Sequence, residues 1–80
     1  MVANPDRVRP RLTSREKEVL KLLVDGYSNI EAGEVLHLSR RTVEAHRGRI
    51  MLKLRVHDMA ALVKYAIRAG ITSVDEHRKD

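Results

Sequence analysis

The sequence predicts an all-α domain of four helices, spanning about 13–25, 29–36, 40–54 and 58–69. Apolar residues recur at helical rather than alternating spacing. Capping residues stand ahead of the apolar runs, and Gly26 and Gly70 close two of them. A length of 80 residues allows one small domain, which we place at 12–71. Residues 1–11, with Pro5 and Pro10, form a linker or arm, and 72–80 a polar tail.

The first helix opens with Thr13 and Glu16, a capping box in which each side chain answers the other's free backbone N–H. Leu12, Val19, Leu20, Leu23 and Val24 then face inward, and Glu16, Lys17, Glu18 and Lys21 outward. Gly26 closes the helix in the left-handed conformation. Ser28 and Glu31 form a second capping box, ahead of a short helix from Asn29 to Leu36 whose inner face is Ala32, Gly33 and Leu36. A helical glycine costs about 1 kcal/mol against alanine, so Gly33 marks either drift at a tolerant site or close contact with a crossing helix, to which the turn just downstream points.

His37 and Leu38 form a tight turn, and Ser39 caps the third helix. Val43, Ile50 and Leu54 share its inner face, with His46 beside them as a partly buried structural histidine. Arg41, Glu44, Ala45, Gly48 and Arg49 occupy the opposite arc. Arg40 and Arg47 line one flank, and Thr42 and Lys53 the other. A short helix, a tight turn and a longer helix with basic outward residues make a helix-turn-helix.

Asp58 caps the fourth helix. Met59, Leu62, Val63 and Ala66 form a stripe suited to packing on the first and third helices. Ala60, Lys64 and Ile67 lie off that stripe. The small Ala60 and apolar Ile67 suit an isologous contact with a second copy, so a weak homodimer through this helix is expected.

The charge is segregated. Residues 39–55 hold six of the 16 Lys and Arg and one of the 11 acids, while the remaining ten of each sign cancel. The net charge of +5 therefore sits on one helix, the footprint of a phosphate-backbone binder. With no Phe or Trp and only Tyr27 and Tyr65, the chain lacks the aromatic platforms of single-strand binders. Double-stranded DNA is the partner this pattern fits.

Other chemistries find no support. The chain has no cysteine, which excludes disulfides and thiolate zinc sites. His37, His46, His57 and His77 are scattered without metal-ligand spacing, so no metal, cofactor or small-molecule substrate is expected. No Ser/His/Asp set or glycine-rich phosphate loop suggests an enzyme. The longest apolar run falls short of the roughly 18 residues of a membrane span, and no signal-peptide core is visible. A soluble, cytoplasmic protein is expected.

Several stretches at fixed spacing resemble the LuxR/NarL-type (GerE-like) helix-turn-helix domain. They are Leu12-Thr13-Ser14-Arg15-Glu16-Lys17-Glu18-Val19-Leu20, Gly26-Tyr27-Ser28-Asn29, Leu36-His37-Leu38-Ser39, Thr42-Val43-Glu44-Ala45-His46-Arg47 and Lys53-Leu54. The Thr-Val-Glu-x-His-Arg form is most similar to the FixJ-like response-regulator branch. The resemblance implies bacterial transcription regulation, as the output domain of a two-component response regulator. It implies a third helix in the major groove and a fourth that dimerises, a contact we place at Ala60, Val63, Lys64 and Ile67.

Position by position, the resemblance makes Glu44, Ala45 and Gly48 base-reading residues. Arg40, Arg41, Arg47 and Lys53 become phosphate-binding, with Thr42 contributing its hydroxyl; we add Arg49 to that set. RNA polymerase is a further candidate partner. The chain departs from the family at Ile30, where a basic residue is usual, at Ala32, where a larger core residue is, and at Met59, where an arginine often stands. Two alternatives compete. One is a sigma-factor region-four-like module, which shares the Leu-Thr-x-Arg-Glu opening. The other is a helical protein-interaction module whose basic face meets an acidic partner.

Overall fold

A computed structural model describes residues 11–74. They form α1 (Ser14–Val24), α2 (Asn29–Leu36), α3 (Arg40–Leu54) and α4 (Met59–Arg68). The all-α class, the four elements and their order are as the sequence predicts. The ends of the first and last helices shorten because Thr13, Asp58 and Ala69 are caps rather than helical residues.

Local chemistry accounts for each boundary. Both capping boxes close: Thr13 N donates to Glu16 Oε1 at 2.8 Å and Glu16 N to Thr13 Oγ1 at 3.0 Å, and Ser28 N donates to Glu31 Oε1 at 2.9 Å and Glu31 N to Ser28 Oγ at 3.0 Å. Ser39 Oγ accepts from the Thr42 N–H at 3.1 Å, and Asp58 Oδ1 from the Ala61 N–H at 2.8 Å. α1 ends in a Schellman motif. Tyr27 N donates to Leu22 O at 3.0 Å and Gly26 N to Leu23 O at 3.2 Å, with Gly26 at φ 102°. α4 ends in the same way around Gly70. α2 and α3 instead place His37 and Arg55 in the left-handed region, at a small steric cost that glycine would avoid.

α1 touches each of the other three helices, and α2 packs on α3. The core joins Val19, Leu20, Leu23 and Val24 of α1 to Ala32, Val43, Ile50, Leu62 and Ala66. Leu62 and Ala66 are fully buried and Val63 is half-buried, whereas Met59 is exposed. The stripe expected to rest on both the first and third helices packs chiefly on α1.

Three expectations are corrected. Glu16 was expected outside, yet it is buried, because Lys53 and the capping box satisfy its carboxylate. Thr72 was expected in the tail, yet it is buried and its hydroxyl donates to Asp25 Oδ1. Gly33 does meet close backbone, but of the turn rather than of a crossing helix: a Cβ there would overlap the Leu38 carbonyl oxygen. The arm expected at 1–11 and the tail expected at 72–80 lie, but for Arg11 and 72–74, outside the described residues.

Candidate nucleic-acid interface

α3 is anchored from below and open above. Val43 and Ile50 are buried, and α1 and α2 hold that face. His46 is half-buried, as expected. On the other side Arg41, Glu44, Ala45, Gly48 and Arg49 are all exposed. The stripe lies opposite the buried face that packs on α1 and α2, and the Gly33 approach to the Leu38 carbonyl keeps the turn between α2 and α3 tight.

Within that stripe the charges differ in how free they are. Arg40 Nε lies 3.3 Å from Glu44 Oε2, an exposed i,i+4 pair of the kind worth about 0.3–0.5 kcal/mol. Arg41 and Arg49 have no ion pair among the described residues. The Thr42 hydroxyl lies 2.9 Å from Ser39 Oγ. Arg47 is half-buried, and its Nε, like His46 Nδ1, is buried with no hydrogen-bond partner among the described residues.

Gly48 is not demanded by the fold, since a Cβ built there would meet no atom within 4 Å. The open space lies on the outer surface of the helix.

Lys53 is placed differently from the other basic candidates. Its ammonium donates to Glu16 Oε1 at 2.8 Å and to the Arg11 carbonyl at 3.1 Å. Burial pushes the Glu16 carboxyl up. The Lys53 hydrogen bond, the Thr13 N–H and hydroxyl, and the Lys53 charge outweigh that and hold it below the ordinary value. The Lys53 charge is thus already compensated by a buried anion.

The stripe on α4 is continuous. Ala60, Val63, Lys64 and Ile67 stand at i, i+3, i+4 and i+7, with Ala60 and Lys64 exposed and Val63 and Ile67 half-buried. The sequence reading missed Leu52. It stands at i+4 from Gly48 on the outward face of α3 and is 79% exposed. The helical period places it outside. Among the described residues no His, Asp and Glu group could hold a metal ion, and no helix is long and apolar enough to cross a membrane.

Comparison with known proteins bears on this arrangement. Residues 10–66 match the family described as bacterial regulatory proteins, luxR family. The chain is 48% identical over 64 residues to the uncharacterized response regulatory protein YgeK of Escherichia coli, covering 80% of this chain and 44% of that protein. It is 44% identical over 63 residues to the transcriptional regulatory protein DegU of Brevibacillus brevis, covering 79% and 27%. It is 46% identical over 57 residues to the oxygen regulatory protein NreC of Staphylococcus carnosus, covering 71% and 26%. The chain thus spans less than half the length of these relatives. Among solved structures, VqmA of Vibrio cholera in a complex with ligand and DNA aligns with a TM-score of 0.72 and 26% identity, over 99% of this chain and 35% of that one.

Proposed function

The chain belongs to the luxR family of bacterial regulatory proteins, and from that premise we propose that it binds double-stranded DNA sequence-specifically and so regulates transcription. In this reading it is the output domain of a two-component response regulator, as the names of its relatives suggest, and not an enzyme. The observation that carries the proposal is the exposed stripe Arg41, Glu44, Ala45, Gly48 and Arg49, within the segment 39–55 whose charge of +5 equals that of the whole chain.

Mechanistically, α3 enters the major groove with Glu44, Ala45 and Gly48 against the base edges. The exposed Arg40, Arg41 and Arg49, with Arg47 and the Thr42 hydroxyl, meet the phosphates and set register. Lys53 is a weaker candidate for that role, because its ammonium would have to leave Glu16. α4 supplies the two-fold contact through Ala60, Val63, Lys64 and Ile67. A dimer then sets two reading helices in successive major grooves, and RNA polymerase is the candidate partner of the DNA-bound form.

Selection of bound sequences from a random duplex pool tests this reading. The expected result is one enriched motif arranged as an inverted repeat. Recovery of unenriched sequence would overturn the specific-binding reading and favour a basic face that meets an acidic protein.

A further inference from the structure

The outward face of α3 contains one residue that neither charge nor helix packing explains. Leu52 is 79% exposed, more than Ile30, Val35, Met59 or Val74, the other exposed large apolar residues. Isolated apolar residues on a surface are common and mean nothing by themselves. Leu52 differs in its setting. Arg41, Ala45, Gly48 and Leu52 follow one another at spacings of four, three and four residues, so they form a single stripe along the centre of the proposed reading face.

Two of its neighbours leave room around it. Ala45 carries only a methyl group, and a Cβ at Gly48 would meet nothing within 4 Å. Side chains on a helix lean toward its N-terminus, so Leu52 stands as an apolar wall at the C-terminal end of an open notch. Arg49 and Arg55, both exposed, flank it and favour the phosphate-rich surroundings of a groove. The major groove has one exposed apolar group to offer, the thymine C5-methyl.

We infer that Leu52 is a further specificity-determining residue, which packs against a thymine methyl group in the major groove. The inference rests on the proposed DNA-binding reading and extends the reading face by one turn. Glu44 and Leu52 are eight residues apart, or about 12 Å at 1.5 Å per residue. Projected on the duplex axis, that distance covers at most about three to four base pairs at ~3.4 Å per step. The thymine therefore lies within about three to four base pairs of the base that faces Glu44.

Replacement of each operator thymine in turn by deoxyuridine, which removes only the methyl group, tests this directly. The operator is the one recovered from the random pool, and the proteins are the wild-type chain and Leu52→Ala. One substitution per half-site should weaken wild-type binding by roughly three- to tenfold, the scale of one buried methyl group. Leu52→Ala should show a loss of the same size on the intact operator, no further loss on the uracil-substituted one, and an unchanged melting temperature. Leu52→Gln should also lose the thymine preference. A wild-type chain indifferent to every uracil substitution, or an equal uracil penalty in Leu52→Ala, would overturn the inference while leaving the DNA-binding reading intact. Absence of any sequence-specific binding by the wild-type chain would overturn both.

Discussion

The Lys53 ammonium lies 2.8 Å from Glu16 Oε1, joining the last turn of α3 to the first turn of α1. The carboxylate is 4% exposed and also accepts the Thr13 N–H, so one buried oxygen ties together a helix start and the proposed reading helix. Removal of one partner of such a bond leaves a buried charged group unpaired, which costs more than the bond itself contributes.

Glu16→Gln should therefore lower stability by about 1–3 kcal/mol at neutral pH. The folded carboxyl titrates below its ordinary value, so its contribution is complete above the unfolded value of about 4.3 and is lost as pH falls through the folded one. Urea unfolding at neutral pH and in mild acid should show the gap between wild type and Glu16→Gln narrowing as pH falls. Lys53→Met should cost stability yet keep the salt dependence of DNA binding. A Lys53→Met protein of normal stability with a shallower salt dependence would make Lys53 a phosphate contact instead.

The two glycines within helices should respond with opposite signs. Gly33→Ala pushes a methyl into the Leu38 carbonyl, a backbone atom that cannot swing aside, and should destabilise by about 1–3 kcal/mol. Gly48→Ala meets open space and should stabilise by about 0.5–1 kcal/mol. The same change should weaken specific DNA binding, because the methyl would occupy the notch. Thermal unfolding and operator affinity measured on both variants check the pair. A Gly48→Ala protein that is more stable and binds equally well would remove this glycine from the reading face.

Glu44 is an acid on a basic face, and its pairing with Arg40 at 3.3 Å offers a purely helix-stabilising explanation. Its position among the proposed base readers offers another, acceptance of a hydrogen bond from a cytosine N4 amino group, worth roughly 1–3 kcal/mol of discrimination. Glu44→Gln should relax preference at one operator position and raise affinity for random DNA. Selection profiles that superimpose for the two proteins would leave only the pairing with Arg40.

Ile67 is half-buried at the end of the Ala60, Val63 and Lys64 stripe. Ile67→Glu should fold normally and bind a single half-site, but lose cooperativity on a two-half-site operator. Sedimentation and two-site binding curves check this. Undiminished cooperativity would place the dimer contact elsewhere.

The helices were legible in the sequence because their signals are local. The Thr13–Glu16 and Ser28–Glu31 boxes, Ser39, Gly26 and Gly70 each act within a few residues of the boundary they set. The outward stripe of α3 was legible because the helical period alone sorts its faces. Long-range polar partners were not. Glu16 meets Lys53 across 37 positions and Asp25 meets Thr72 across 47, and nothing near either residue announces a distant partner. Leu52 was missed for another reason, since leucine in an amphipathic helix suggests the core until its angle is weighed against its identity.

The central claim is that the outward face of α3 meets DNA phosphates and base edges together. Salt titration of affinity for the selected operator tests it most directly, with wild type beside Arg41→Ala and Arg49→Ala, the exposed arginines of α3 without an ion pair among the described residues. A steep linear fall of log affinity with log salt is predicted for wild type, with the slope reduced by about 0.9 in each variant and the selected motif unchanged. A wild-type affinity that stays flat between about 50 and 200 mM salt, or variants with the wild-type slope, would contradict the account.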